Sequence, residues 1–224
     1  TYKIILSITS ANGCTDTVSK TVIVYPQAVP NFSVNTRNQC LRGNAYTFTN
    51  SSTISPGSIS TYKWEFDDGT SATTKDVSKK YSNTGNYNVK MYTVSNRGCM
   101  DTLIKKVVVM PQMTISFTTN SDTQCNSLNK YIFTSKSSIA SGSIVSYKWD
   151  FGDATTAATK DASKKYTKEG TYSVKMFTTT NRGCTDTLIK NITVNPQSLI
   201  VFKLNADSQC LKGSNFQITN TSSI

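Results

Sequence analysis

The chain contains no histidine at all, and that absence closes off several chemistries at once. Without an imidazole, neither a Ser-His-Asp nor a Cys-His arrangement can be assembled from these residues, and zinc loses a common nitrogen ligand. Glycine-rich phosphate loops and dinucleotide fingerprints are also missing. No apolar run approaches the roughly 20 residues that span a bilayer, so no membrane span is expected in these residues. Acidic residues are scarce: 13 Asp and Glu against 24 Lys and Arg leave a formal net charge of +11. A surplus of that sign attracts anionic partners. The basic residues are spread along the chain with no dense block and no RNA-binding signature, which disfavours nucleic acid. Dispersed lysines suit a solvated β-surface whose edges they guard against sheet-to-sheet pairing. Strong helix formers are few, whereas Thr, Ser, Val, Ile, Tyr and Asn abound, which favours strands and turns.

What is present is a repeat. Trp64 and Trp149 are 85 residues apart, and the same 85 separates Cys14, Cys99 and Cys184; Cys40, Cys125 and Cys210; and Pro26, Pro111 and Pro196. Residues 27–111 and 112–196 align without a gap and share 45 identities in 85 positions. Self-similarity at a fixed period marks an array of stacked units. The expected organisation is two whole repeats, 27–111 and 112–196. Residues 1–26 match the end of a repeat and 197–224 the beginning of a further one, so the polypeptide is expected to continue in both directions. Each proline at the junctions Tyr25-Pro26-Gln27, Met110-Pro111-Gln112 and Asn195-Pro196-Gln197 ends a β-rich run and removes a backbone donor, as at a strand exit. These junctions are too short for flexible linkers. Neighbouring repeats should therefore touch, giving an extended, semi-rigid rod.

Inside 27–111 the strand pattern is legible. Phe32 and Val34, then Tyr46 and Phe48, alternate with polar residues. Residues 61–66 place Tyr62, Trp64 and Phe66 on one face, and Asp67-Asp68-Gly69 makes a turn into a polar strand near 70–75. Residues 78–81 end in Tyr81, 86–95 alternate Tyr87, Val89, Met91 and Thr93, and 102–109 follow a turn at Asn96-Arg97-Gly98. Seven short strands separated by turn signals predict an all-β sandwich of immunoglobulin-like type. Trp64, Trp149, Tyr87 and Tyr172 are its expected core aromatics.

All six cysteines fall at two repeat positions: the loop between the first two strands (Cys40, Cys125, Cys210) and the last hairpin (Cys14, Cys99, Cys184). With no histidine and no CxxC, structural disulfides in an oxidising compartment are the expected use. Two connectivities remain open. One joins Cys40 to Cys99 and Cys125 to Cys184 inside each repeat. The other joins Cys40 to Cys184, across a junction, with Cys14 and Cys210 pairing outside these residues. If successive strands run antiparallel, the two positions within one repeat lie at opposite ends, roughly 20 Å or more apart at about 3.3 Å per residue. A disulfide needs Cα atoms within about 7 Å, which points to the inter-repeat bond.

The motif Trp149-Asp150-Phe151-Gly152-Asp153, followed by Lys165-Tyr166 and Gly170-Thr171-Tyr172-Ser173-Val174, resembles the PKD (polycystic kidney disease) domain family. The earlier repeat carries it as Trp64-Glu65-Phe66-Asp67-Asp68-Gly69, Lys80-Tyr81 and Gly85-Asn86-Tyr87-Asn88-Val89. Asp67 and Ala154 stand where the family pattern has glycine, and Lys80 and Lys165 where histidine is usual. The resemblance implies a β-sandwich used outside the cell for spacing, adhesion and contact with protein or carbohydrate. Asn-x-Gly-Cys-x-Asp-Thr in the last hairpin is similar to long arrays of Bacteroidetes cell-surface proteins exported by the type IX system, gliding adhesins among them. By the same resemblance, Asp16-Thr17-Val18, Asp101-Thr102-Leu103 and Asp186-Thr187-Leu188 match an O-glycosylation sequon, making Thr17, Thr102 and Thr187 candidate acceptors; the alternative is an Asp-Thr turn cap.

The clustered carboxylates Asp67, Asp68, Asp150 and Asp153 are weak calcium candidates, no other cofactor being expected. Their place in a hairpin turn suits turn geometry better. A non-catalytic, cell-surface structural or adhesive array is the expected function. Its expected partners are neighbouring repeats and, beyond them, other filament chains or surface polysaccharide. The alternative is a spacer or polysaccharide-binding accessory region of a secreted hydrolase.

Overall fold

A computed structural model describes residues 1–223. The chain divides into two compact units, Thr1–Met110 and Pro111–Ile224. Among the described residues the only helical element is a 3-10 turn at Asn126–Leu128, and no helix is long and apolar enough to cross a membrane.

The first unit contains β1 (Tyr2–Thr9), β2 (Thr15–Val22), β3 (Phe32–Val34), β4 (Asn38–Cys40), β5 (Tyr46–Asn50), β6 (Ile59–Glu65), β7 (Ser71–Ala72), β8 (Val77–Lys79), β9 (Gly85–Ser95) and β10 (Met100–Met110). From β3 onward these form two sheets, one ordered β4-β10-β9-β6-β7 and the other β3-β5-β8. All pairings are antiparallel except β4 with β10, which is parallel and sets Cys40 opposite Met110. The period-2 alternation of the sequence explains the sandwich. In β5, Tyr46, Phe48 and Asn50 are buried while Thr47 and Thr49 face out; in β9, Val89, Met91, Thr93 and Ser95 are buried. Phe32, Tyr46 and Phe48 meet Trp64, Val89, Met91, Val107 and Val109 in one core.

The second unit repeats this plan with β11 (Phe117–Thr119), β12 (Thr123–Cys125), β13 (Tyr131–Ser135), β14 (Ile144–Asp150), β15 (Thr156–Ala157), β16 (Ala162–Lys164), β17 (Gly170–Thr180) and β18 (Thr185–Asn195), then β19 (Phe202–Leu204) and β20 (Ile218–Asn220). Its sheets are ordered β12-β18-β17-β14-β15 and β11-β13-β16.

The tryptophans are the hubs. Trp64 is fully buried, 5.0 Å from the Phe32 ring and 5.8 Å from Phe48, and its indole N–H donates to the Thr74 carbonyl at 2.9 Å. Trp149 has the same surroundings in Phe117, Phe133 and the Thr159 carbonyl. Tyr87 and Tyr172 are only half-buried, stacked on the enclosed Tyr81 and Tyr166 at 3.8 and 4.0 Å. They line the margin of the core, and Tyr46, Tyr81, Tyr131 and Tyr166 fill its interior.

The outer pieces lack such cover. Ile4, Leu6 and Ile8 on β1 are 57–63% exposed, whereas Val89, Met91 and Thr93 at the matching positions of β9 are at 0%. Phe202 and Ile218 are likewise open, where Phe32 and Phe48 are enclosed.

Candidate functional site

The turn after the Trp strand holds the densest chemistry in each repeat. Asp67 and Gly69 both have positive φ, at 62° and 82°, as do Gly152 and Ala154, at 77° and 67°. Two left-handed positions flank each central aspartate, and glycine is the residue that adopts them without cost. Each copy keeps glycine at one and spends another residue at the other. At Asp67 the side chain compensates, its carboxylate accepting the Asn88 N–H at 3.0 Å. At Gly152 an added Cβ would lie 3.0 Å from the Ser173 carbonyl oxygen.

The central aspartates are anchors. Asp68 accepts the backbone N–H and hydroxyl of Thr70 at 3.1 and 2.6 Å and pairs with the Lys79 ammonium at 2.6 Å. Lys79 also donates to Thr70 Oγ1 and lies over the Phe66 and Tyr81 rings, at 5.4 and 5.2 Å. Asp153, Thr155, Lys164, Phe151 and Tyr166 reproduce the constellation, with an ion pair of 2.7 Å. Partial burial works against the charge of Asp68 and Asp153, but the lysine and threonine hydrogen bonds outweigh it and hold both carboxyls below the usual carboxylate range. Tyr81 and Tyr166 donate to the carbonyls of Phe66 and Phe151, and burial pushes both phenols up. Their backbones are held by Asn44 and Asn129, each buried and donating to the tyrosine carbonyl while accepting its N–H. These asparagines lie between recognisable strands, so periodicity could not find them; their recurrence at the 85-residue period is the signal that could.

Of the calcium candidates, Asp67 and Asp150 accept backbone N–H groups, while Asp68 and Asp153 are committed to lysines. No group of three or more metal-ligating side chains gathers among the described residues.

The outer face of the five-stranded sheet differs between copies. In the first, Lys63 and Tyr92 both bond to Glu65, at 2.8 Å each, beside a groove of about 350 Å³ lined by Asp67, Thr70, Asn88 and Lys90. The Lys63 hydrogen bond, then that of Tyr92, draws the Glu65 carboxyl below its ordinary range. In the second, Phe177 replaces Tyr92, and Asp150 replaces Glu65 and turns to the Gly152 N–H. One lysine per repeat on β10 or β18 also reaches across to the first strand of its repeat: Lys105 and Lys190 donate to the carbonyls of Phe32 and Phe117 and lie over those rings.

Cys40 and Cys184 are disulfide-bonded; Cys14, Cys99, Cys125 and Cys210 carry free thiols. Pairing within each repeat, Cys40 with Cys99 and Cys125 with Cys184, is therefore not what forms. The reason is the topology. Cys40 ends β4, a strand that the sequence pattern had concealed as loop, and lies opposite Met110 at the far end of β10, while Cys99 precedes Met100 at the near end. The ten residues of strand between them span about 33 Å. The side chains of Thr17, Thr102 and Thr187 are exposed, and the preceding aspartate of each accepts its N–H at 2.7–2.9 Å.

The PKD domain family matches this chain twice, over residues 27–110 and 111–194. Pre-pro-metalloprotease PrtV of Vibrio cholerae is 43% identical over 58 residues, which is 26% of this chain and 6% of that protein, so the chain spans only a small part of this relative. Among solved structures, the PKD1 domain of the same metalloprotease shares 25% identity at a TM-score of 0.34, covering 37% of this chain and 96% of that one. The PKD1 domain of Vibrio anguillarum Epp shares 23% at a TM-score of 0.35, covering 38% and 96%. With both complete repeats matched, three quarters of its length, the chain belongs to the PKD domain family.

Proposed function

We propose that this chain is part of a structural or adhesive array outside the cell, a surface stalk or filament of the kind that serves adhesion or gliding in Bacteroidetes. The observation that carries the reading is the fidelity of the duplication: 45 identities in 85 positions, no change of length, and the same Trp hub and Asp-Thr-Lys anchor in each copy. Length is kept where the spacing of repeats matters. Disulfide-bonded Cys40 and Cys184 fit an oxidising, extracellular compartment. The uncovered faces at Ile4, Leu6 and Ile8, and at Phe202 and Ile218, support residues 1–26 and 197–224 as pieces of further repeats. Neighbouring repeats, other filament chains and surface polysaccharide are the partners in this reading, and Thr17, Thr102 and Thr187 are its O-glycan acceptors, detectable by intact mass.

The 43% identity to a segment of a metalloprotease favours a second reading, in which the repeats space or present the catalytic domain of a secreted hydrolase. In-frame deletion of residues 27–196 from the parent protein separates the two. A stalk predicts weaker attachment of the producing cells under flow with extracellular hydrolysis unchanged. Lost hydrolysis with attachment unchanged overturns it in favour of the hydrolase spacer.

A further inference from the structure

The cysteines recur with a spacing that has a mechanical consequence. Cys14 to Cys40, Cys99 to Cys125 and Cys184 to Cys210 are each 26 residues, and Cys40 to Cys184 is 144. Within the first unit, the stretch from Cys14 to Cys40 contains β2, β3 and β4; within the second, Cys184 to Cys210 contains all of β18 and β19. About half of each stretch is strand, at about 3.2–3.4 Å per residue, and a fully extended chain reaches only about 3.3–3.6 Å per residue. Those strands have little length left to give, and the 26-residue spacing caps what the rest can add. The segments that could release length, β5 through β9 and β13 through β17, lie between the ends of these stretches.

We infer that the disulfide joins Cys40 to Cys184 and is one link of a tension-carrying cable, in which the first-position cysteine of each repeat bonds the last-hairpin cysteine of the next. Tension arriving through β2, β3 and β4 then leaves Cys40 through sulfur to Cys184 and continues along β18, bypassing everything from residue 41 to 183. Cys99 and Cys125 occupy the same two positions and are the open ends of the alternate cable. Each link forms by thiol–disulfide exchange: two thiols give two protons and two electrons to an external protein disulfide, which leaves as two thiols. Every 26-residue segment then serves two repeats, so the fully stretched path is about 45 Å per repeat, against about 290 Å for 85 unfastened residues. Such an array holds its length under load even where a sandwich opens. This rests on the array reading, but its test is separate from adhesion.

The test is single-molecule stretching of the 224-residue chain held by its termini. Oxidised, only residues 1–40 and 184–224 can be drawn out. Reduction is expected to add about 500 Å of extension, the contour of the 143 residues enclosed by the bond. Cys40→Ser and Cys184→Ser should give the long trace without reductant, and the double variant Cys99→Ser/Cys125→Ser should keep the short one. Equal extension in oxidised and reduced chains overturns the inference, as does non-reducing peptide mapping that links Cys40 elsewhere. In a chain with residues 27–196 duplicated in register, only four cysteines should remain reactive to thiol reagents: Cys14, the Cys99 of the first copy, the Cys125 of the last copy and Cys210. Free thiols at internal junctions would show that the link does not propagate. Attachment unchanged on deletion of residues 27–196, with these mechanics intact, would defeat the adhesive reading alone.

Discussion

The two complete repeats are the same sandwich written twice, and what differs between them separates what the fold requires from what it tolerates. The Trp hub, the buried Asn that clamps the enclosed Tyr, and the Asp-Thr-Lys anchor are identical, with ion pairs of 2.6 and 2.7 Å. The outer face has drifted: where one copy has Tyr92 and Glu65 clustered with Lys63, the other has Phe177 and Asp150 at the matching positions. The interior has drifted as well, at Ala28/Met113, Asn50/Ser135, Ser95/Thr180 and Val107/Ile192. Thr178 donates to the Met113 sulfur at 2.8 Å, whereas the matching Thr93 hydroxyl is fully buried with no partner, Ala28 standing where Met113 would be. Identity is kept at the hub and the anchor, and divergence is found both on the outer face and at buried positions around them.

The largest effect that tests this equivalence comes from the hubs. Trp64→Ala and Trp149→Ala each remove a fully enclosed indole and leave the Thr74 or Thr159 carbonyl without its donor. Each should destabilise its own repeat by about 3–5 kcal/mol. Hydrogen exchange at β9 and β17 amides reads the two repeats separately. Unequal losses, or loss of protection in the unmutated repeat, would break the comparison.

Next are the anchors. Asp68→Asn and Asp153→Asn replace a partly buried carboxylate while leaving the lysine in place, and each should cost about 1–2 kcal/mol, above the usual value of an exposed ion pair. Because the folded-state carboxyls titrate below their unfolded range, this stabilisation is fully present above the unfolded value, near pH 4. It is lost as the pH falls through the folded one. Acid melts should therefore show the wild-type advantage over both variants closing below about pH 4. An advantage that persisted at low pH would mean that the aspartates act through turn geometry and not through charge.

Most of this was legible in the sequence because period-2 alternation and an exact 85-residue spacing both survive in it. Phe32, Phe48, Trp64, Val89 and Met91 announce their faces directly. β4 did not, because three residues, Asn38-Gln39-Cys40, are too few to show a period, and their parallel pairing with β10 is a long-range event. The same concealment left the cysteine connectivity open, since the position of Cys40 opposite Met110 is decided by that pairing. Tyr87 and Tyr172 share the inward phase of their strands but lie at the strand starts, beside the surface, where inward does not mean enclosed. The Asp-Lys anchor has no local signature in the sequence, because it joins a turn to a strand 11 residues later, a distance no local pattern encodes.

A smaller effect sharpens the interior difference. Thr93→Val keeps the shape of the side chain and removes a hydroxyl that has no partner, so the first repeat should gain about 1 kcal/mol. Thr178→Val removes a hydroxyl bonded to sulfur and should gain less or lose slightly, since such bonds are weak. A gain of the same size at both positions would show that the Met113 contact contributes nothing.

The smallest effect lies in the turn, where each copy breaks the glycine rule at a different position. Ala154 holds a φ of 67° with no compensating side-chain bond, whereas Asp67 at 62° has its carboxylate on the Asn88 N–H. Ala154→Gly relieves the backbone and gives back some of the gain through the freer unfolded chain, leaving about 0.5–1 kcal/mol of net stabilisation. Asp67→Gly relieves the same strain but removes the bond to Asn88, so the two should nearly cancel. Thermal denaturation of the two variants against wild type measures the difference. If Asp67→Gly stabilised as much as Ala154→Gly, the carboxylate would be idle, and the two turns would differ only in which position happened to lose its glycine.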